Sequence, residues 1–283
     1  MKMQRTIVPQ ERYFSEELTA GVFHEKFYPG GKDGPNGEVH QPLVGGQTWS
    51  ESIFLGSDED AFQTLIPDIR MPANQYWPLH WHDCWTLVLV LEGGCRIGDW
   101  WLGEGDIFLT VPSLEYGPMV VGPEGCRMWE VFAQGHLCPG GYAPEYHDHP
   151  TLEGSSKVFL ERSELNKRNE GRQILPCEGV EGIWKLKLEP GKVFDLGETG
   201  DPERSVIRAT RLAPGETVVA STTADWRMMA VLGGSIECGG RMVGRDGYLR
   251  IAPGAALEVI TAGSDGADLI EIGRTAKALP GLS

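Results

Sequence analysis

The chain has 283 residues, 41% of them hydrophobic, and it is rich in glycine (38 residues) and proline (19 residues). Lys and Arg number 25 against 40 Asp and Glu, and the net charge of −15 argues against nucleic acid as a general partner. No apolar run reaches the ~18–20 residues of a membrane span, and the N-terminal segment lacks the apolar core of a secretory signal. The six cysteines form no C-x-x-C pair. We therefore expect reduced thiols in a cytoplasmic protein.

The chain repeats itself at an offset of 141 residues. Four of the aligned pairs are Arg70 with Arg211, Gly93 with Gly234, Pro112 with Pro253, and Gly125 with Gly266. A repeat of this length predicts two whole domains, because solenoid and propeller repeats are much shorter. The expected division is an N-terminal extension (1–39), a first domain (40–150), a linker (151–179), a second domain (180–275) and a tail (276–283).

Within each copy, short apolar runs are separated by glycine-containing turns. In the first copy these runs are 85–91, 106–111 and 128–132. Such runs, with turn signals every 8–12 residues, predict an all-β sandwich or barrel and not a βαβ fold.

In the strand predicted over 80–91, successive side chains point to opposite faces. His80 and His82 fall on the same face as Thr86, while Trp85, Leu87 and Leu89 lie on the opposite face. A strand that is apolar on both faces needs a cover on each. We expect the second barrel or another subunit to supply the outer cover, and we expect a homodimer.

The segment around the two histidines resembles the first cupin motif, in which Gly, His-x-His, Glu and Gly follow at fixed spacing. The corresponding positions here are Asn74, His80, His82, Thr86 and Gly93, and in the second copy Gly215, Ser221, Thr223, Arg227 and Gly234. The second cupin motif lies over Gly105, Val111, Ser113 and Tyr116, and in the second copy over Asp246, Ala252, Gly254 and Leu257. This resemblance implies two tandem cupin (jelly-roll) barrels.

The resemblance also implies a metal site, since the family binds a divalent metal through two His and a Glu of the first motif and a His of the second. Here Thr86 stands in place of the Glu and Tyr116 in place of the last His. The second copy has no ligand set at these positions, so we expect it to be metal-free. Any metal chemistry belongs to the first barrel.

Two histidines alone rarely hold a metal, so a third ligand is needed. The candidates are Tyr116, Glu115 and His136. We assign Glu130 a structural role with Arg70, because its repeat partner Glu271 persists in the copy that has lost the histidines.

The missing Glu makes the site similar to the three-His type of some dioxygenases, in which Fe(II) keeps open positions for substrate and O₂. In this hypothesis Thr86 orients the substrate or a metal-bound water, and Tyr116 acts as general acid/base if it is not a ligand. Zn, Ni and Mn are the other candidate metals. Six of the nine tryptophans lie between 77 and 129. Such clusters more often belong to a core or an interface, and where they line a pocket they favour a small aromatic or apolar substrate. The alternatives are a non-catalytic small-molecule-binding or sensor bicupin and, third, a sugar-acid isomerase or lyase.

Overall fold

A computed structural model describes residues 14–19, 22–26, 49–56, 64–77, 81–82, 84–133, 174–198, 201, 204–219, 222–255 and 259–279. The described residues form seventeen strands in two sheets and one 3₁₀ turn, Ala276–Ala278. The prediction of an all-β chain is thus confirmed. Among the described residues, no helix has the length and apolar character needed to cross a membrane.

The first sheet contains eight strands. Their bounds are β3 Trp49–Leu55, β4 Thr64–Met71, β5 Tyr76–Trp77, β6 Thr86–Ile97, β7 Trp100–Gly103, β8 Asp106–Thr110, β9 Met119–Phe132 and β10 Ile183–Lys187. The strands follow in the order β10-β8-β6-β9-β4-β3, with β5 paired to β9 and β7 paired to β6.

The second sheet contains nine strands. Their bounds are β1 Phe14–Thr19, β2 Val22–Lys26, β11 Val193–Leu196, β12 Ser205–Leu212, β13 Thr217–Val219, β14 Arg227–Cys238, β15 Arg241–Gly244, β16 Gly247–Ile251 and β17 Val259–Gly273. The order is β1-β2-β16-β14-β17-β12-β11, with β13 paired to β17 and β15 paired to β14. The chain divides into two compact units, one built on each sheet.

The sequence repeat is a repeat of structure. Strands β4, β6, β7 and β8 recur as β12, β14, β15 and β16, with both ends displaced by 141 residues. Gly93 in β6 and Gly234 in β14 both have a positive φ, 67° and 69°. A Cβ on either would collide with a backbone oxygen of the neighbouring strand, that of Gly125 or Gly266. These aligned glycines are therefore required by the close approach of the two longest strands in each copy.

The domain division differs from the expected one at two places. Strand β10 pairs along its whole length with β8, from Ile183 opposite Thr110 to Lys187 opposite Asp106, so it belongs to the first sheet and not to the second domain. The hairpin β1–β2, which the sequence places in an N-terminal extension, pairs with β16 in the second sheet. Pairing of an edge strand depends on long-range contacts that a sequence repeat does not report.

The core of the first barrel confirms the inward direction of part of the predicted strand. Val88 and Val90 belong to the interior cluster. Leu87 and Leu89, on the other face, are 0% and 1% exposed, and Trp85 stacks on Trp184 of β10 at 6.0 Å between ring centroids. Both leucines are thus buried within one copy of the chain, without a partner copy, and the homodimer stays a prediction.

The strand begins later than its sequence pattern predicts. Strand β6 starts at Thr86, and 81, 82, 84 and 85 have no strand conformation. The direction of the His82 side chain is therefore set by the loop that precedes β6 and not by strand alternation.

Candidate functional site

His82 is held in the first barrel by its backbone and by an aromatic neighbour. Its carbonyl oxygen accepts a hydrogen bond from the Ser113 amide at 2.7 Å, which ties the loop before β6 to the turn after β8. The imidazole packs edge-on against the Phe132 ring, with 4.6 Å between centroids. Only 5% of His82 is exposed. The ring is therefore oriented before any ligand binds.

The carboxylate of Glu130 meets this imidazole. Glu130 lies on β9 opposite Val88 of β6, so its side chain points to the same interior as Val88. The distance from His82 Nε2 to Glu130 Oε1 is 3.3 Å, and 8% of Glu130 is exposed. Burying a carboxylate is costly unless it accepts a hydrogen bond, and the Tyr116 hydroxyl donates one to Glu130 Oε1.

The prediction that Glu130 pairs structurally with Arg70 is wrong, because Glu130 contacts His82 and Tyr116 instead. In the second barrel, Arg211, the repeat partner of Arg70, pairs with Asp268 and not with Glu271. One feature of the sequence could have placed Glu130 in the site. It is the single acidic residue on the interior face of an apolar strand, on the same face as Met128 and Phe132.

Tyr116 completes the described group. Its side chain is fully buried, its ring packs on Phe108 at 4.8 Å, and its hydroxyl donates to Glu130 Oε1 at 3.5 Å. The centroids of the Tyr116 and His82 rings are 6.1 Å apart. The residue at the last ligand position of the cupin motif thus faces the same interior point as the histidine.

The other predicted site residues take different places. The Thr86 hydroxyl is buried and donates to the Cys84 carbonyl at 3.2 Å. The oxygen of the Thr86 hydroxyl can in addition accept a hydrogen bond. Glu115 is half-buried, whereas its neighbour Tyr116 is the one that reaches the site. His80 and His136 lie outside the described residues.

The described donors fit a metal in type and spacing. Two ligand atoms that each lie about 2.1 Å from one metal are about 3.0–3.4 Å apart, and His82 Nε2 and Glu130 Oε1 are separated by 3.3 Å. Imidazole nitrogen and carboxylate oxygen suit iron, zinc, nickel and manganese. Within the described part of the chain, no group of three His, Cys, Asp or Glu side chains is gathered for a metal. For a metal at this point, a third such ligand would come from residues outside the described ranges, to which His80 belongs.

The second barrel carries different side chains at the corresponding positions. Thr223 aligns with His82 and Arg227 with Thr86, while Glu271 aligns with Glu130. The backbone is the same, because the Thr223 carbonyl accepts from the Gly254 amide as that of His82 does from Ser113. Here Glu271 pairs with Arg227 and with Arg208. Ser221 and Leu257 lie outside the described residues.

No family model matches the chain, and no curated protein matches it. The chain is similar to several solved structures. An oxalate decarboxylase shares 15% identity over 97% of this chain and 85% of its own, with a TM-score of 0.53. A deletion mutant of Bacillus subtilis oxalate decarboxylase shares 13% over 97% and 84%, with a TM-score of 0.52. Protein Ylba from E. coli shares 11% over 93% and 95%, with a TM-score of 0.51. At these identities the likeness concerns the fold alone, and together with the internal repeat it shows that the chain has the cupin fold in tandem, as two jelly-roll barrels.

Proposed function

We propose that the first barrel is the metal centre of an enzyme that acts on a small molecule, with His82 and Glu130 as ligands. The observation that carries the proposal is the 3.3 Å separation of His82 Nε2 and Glu130 Oε1 in a buried interior. This is long for a direct charge-assisted hydrogen bond, which prefers about 2.7–2.9 Å, and it suits two atoms that share a metal.

We assign the second nitrogen ligand to His80. With His80, His82 and Glu130, the set becomes two histidines and one carboxylate, and Glu130 takes the place for which the sequence offered Tyr116, Glu115 or His136. Such a set with open positions is typical of non-haem Fe(II) oxygenases. We therefore propose a ferrous dioxygenase first, with Zn, Ni and Mn as the other candidates. Bound ferrous iron would supply the electrons for reaction with O₂.

The chain's own residues hold and shield this centre. The Tyr116 hydroxyl donates to Glu130 Oε1 and so limits the rotation of the carboxylate. Phe132 packs on the His82 ring and Phe108 on the Tyr116 ring. Because these contacts are apolar, they exclude water from one side of the site and favour an aromatic or apolar substrate. The lone pairs of Thr86 accept a hydrogen bond from a substrate hydroxyl or a bound water.

Tyr116 has two further roles in this proposal. Its phenol is the alternative third ligand, and in the absence of ligation it is the candidate general acid/base, for which its usual pKa of about 10 has to fall. His136 and Glu115 are the remaining ligand candidates from sequence.

One observation favours a second function, a non-catalytic small-molecule-binding or sensor bicupin. The described residues hold one His and one Glu at this point, and two protein ligands alone rarely retain a metal. The third function, a sugar-acid isomerase or lyase, needs a cation for its carboxylate substrate. In the first barrel, Arg127 already pairs with Asp68 and Glu92, which argues against Arg127 as that cation.

Metal analysis of the full-length protein, purified without chelator, tests the proposal. We expect near-stoichiometric metal in the wild type and in Glu92→Gln, a control that changes a carboxylate of the same barrel away from the site. His82→Ala and Glu130→Gln should lose the metal. A metal-free wild type, or full metal in both site variants, contradicts the metal centre. Oxygen uptake is then measured with the iron-loaded protein and small aromatic compounds. Consumption of O₂ supports the dioxygenase, and binding without O₂ consumption supports the sensor.

A further inference from the structure

The interior of the second barrel contains a buried arginine that the metal proposal does not use. Arg227 is the first residue of β14 and is 2% exposed. It aligns with Thr86, so the side chain enters the barrel at the level where the first copy has its histidine and glutamate. Its Nη1 lies 3.4 Å from Glu271 Oε1 on the neighbouring strand.

Glu271 is shared between Arg227 and a second arginine. Arg208 on β12 lies opposite Glu271 on β17, and its Nη2 is 2.5 Å from Glu271 Oε2. The carboxylate is therefore held most closely by Arg208, and it compensates the charge of Arg227 only in part. An incompletely compensated charge inside a protein is costly. Burial lowers the pKa of Arg227, Glu271 raises it, and the second cation Arg208 lowers it.

Arg227 contacts Glu271 through Nη1, and its other hydrogen-bonding edge, Nε and Nη2, is unpaired within the described part of the chain. Its Nε and Nη2 have no hydrogen-bond partner among the described residues, and neither has the buried hydroxyl of Thr223. Thr223 occupies the position that aligns with His82. A buried donor without an acceptor costs free energy, so the two unpaired nitrogens of Arg227 call for an acceptor supplied from outside the chain.

The chain itself shows what fills such an edge. In the first barrel, Arg127 uses the same two atoms to hold Asp68. Its Nε is 3.1 Å from Oδ1, and its Nη2 is 2.8 Å from Oδ2. Both arginines are almost completely buried. Nε and Nη2 form the fork that matches the two oxygens of a carboxylate.

We propose that the second barrel binds the carboxylate of a small organic acid on the Nε/Nη2 edge of Arg227. One carboxylate supplies two acceptor oxygens for this edge, and its negative charge complements the guanidinium that Glu271 compensates only in part. Thr223 is the further donor. A cation is disfavoured here by the guanidinium groups of Arg227 and Arg208, which makes the site selective for an anion. The site does not depend on the metal proposal.

The test titrates the full-length protein with sodium acetate or sodium formate. Each salt replaces sodium chloride at constant ionic strength, and binding is followed by calorimetry. We expect saturable binding to the wild type. Arg227→Met removes the fork, and Arg227→Lys keeps the charge but lacks the fork, so both should bind about tenfold or more weakly. Arg211→Met, which removes an exposed arginine of the same barrel, should bind as the wild type does.

Three results overturn the proposal. They are the absence of saturable acetate and formate binding to the wild type, unchanged affinity in Arg227→Lys, and equal affinity for inorganic phosphate, which would indicate an unspecific anion site. If Arg227→Met does not fold, Arg227→Lys and Thr223→Val carry the test. Thr223→Val should weaken acetate binding without abolishing it, and unchanged affinity in that variant removes Thr223 from the site.

Discussion

The imidazole of His82 and the carboxylate of Glu130 meet inside the first barrel, with 3.3 Å between Nε2 and Oε1. His82 lies in the loop before β6, and Glu130 lies on β9, which pairs with β6 over most of its length. In the second barrel the aligned residues are Thr223 and Glu271, and there the glutamate pairs with two arginines. The aligned residues Glu130 and Glu271 thus lie in different electrostatic environments, and the His82–Glu130 pair is particular to the first copy.

Removal of the Tyr116 hydroxyl should weaken metal binding. In Tyr116→Phe the Glu130 carboxylate loses the hydrogen bond that restrains it, and residues that orient metal ligands typically change metal affinity by about 10–100-fold. We expect the dissociation constant for the metal to rise by that factor, while excess metal still restores full occupancy. Competition with a chelator measures it. Tyr248→Phe, a buried tyrosine of the second barrel, is the control. Unchanged affinity would remove Tyr116 from the site, and loss of occupancy at excess metal would make it a ligand.

An alanine at Gly93 should destabilise the first barrel. Gly93 has a φ of 67°, and an added Cβ would collide with the backbone oxygen of Gly125. The left-handed conformation alone costs about 1–2 kcal/mol for a residue with a side chain, and the collision adds to it. Gly240→Ala is the matched control, since Gly240 has a φ of 73° and no atom near the added Cβ. Denaturant unfolding should therefore show a larger loss for Gly93→Ala, and equal losses contradict the close approach.

The pair Arg127–Asp68 should contribute more to stability than the pair Arg211–Asp268. The first is almost completely buried, whereas the second is exposed. Asp68→Asn takes the carboxylate charge from the two-pronged partner of the buried Arg127 guanidinium, and breaking a buried pair typically costs about 3–5 kcal/mol. Asp268→Asn removes an exposed pair, which is worth about 0–1 kcal/mol. Chemical denaturation compares the two free energies of unfolding, and a similar loss in both variants contradicts this ranking.

Cys177 should make the folded protein less stable at high pH. Burial and the neighbouring carboxylate of Asp99 raise the pKa of the Cys177 thiol from 9.0 to about 11. Because the folded state holds this proton more tightly than the unfolded chain, the contribution is complete below pH 9 and is lost as the pH rises through 11. Cys177→Ala should therefore flatten the fall in the free energy of unfolding between these pH values. An identical slope in the variant and the wild type would contradict the raised pKa.

Much of the fold follows from local patterns in the sequence. Glycine-bounded apolar runs predict strands, and the aligned pairs Gly93 with Gly234 and Gly125 with Gly266 locate the two copies. These features are local or periodic, because a positive φ requires glycine and a strand requires alternating side chains. The same regularity places His82 and Tyr116 at the positions of a cupin site.

What the sequence does not determine is which side chains meet across strands. The repeat assigns Glu130 to Arg70, and only the register of β9 against β6 turns it towards His82. The pairing of β10 with β8 and the buried nitrogens of Arg227, unpaired among the described residues, cannot be read from the sequence, since each depends on residues far apart in the chain. Local patterns specify elements and their turns, whereas partners in a barrel interior are chosen by register and burial, which exist only after the sheet has formed.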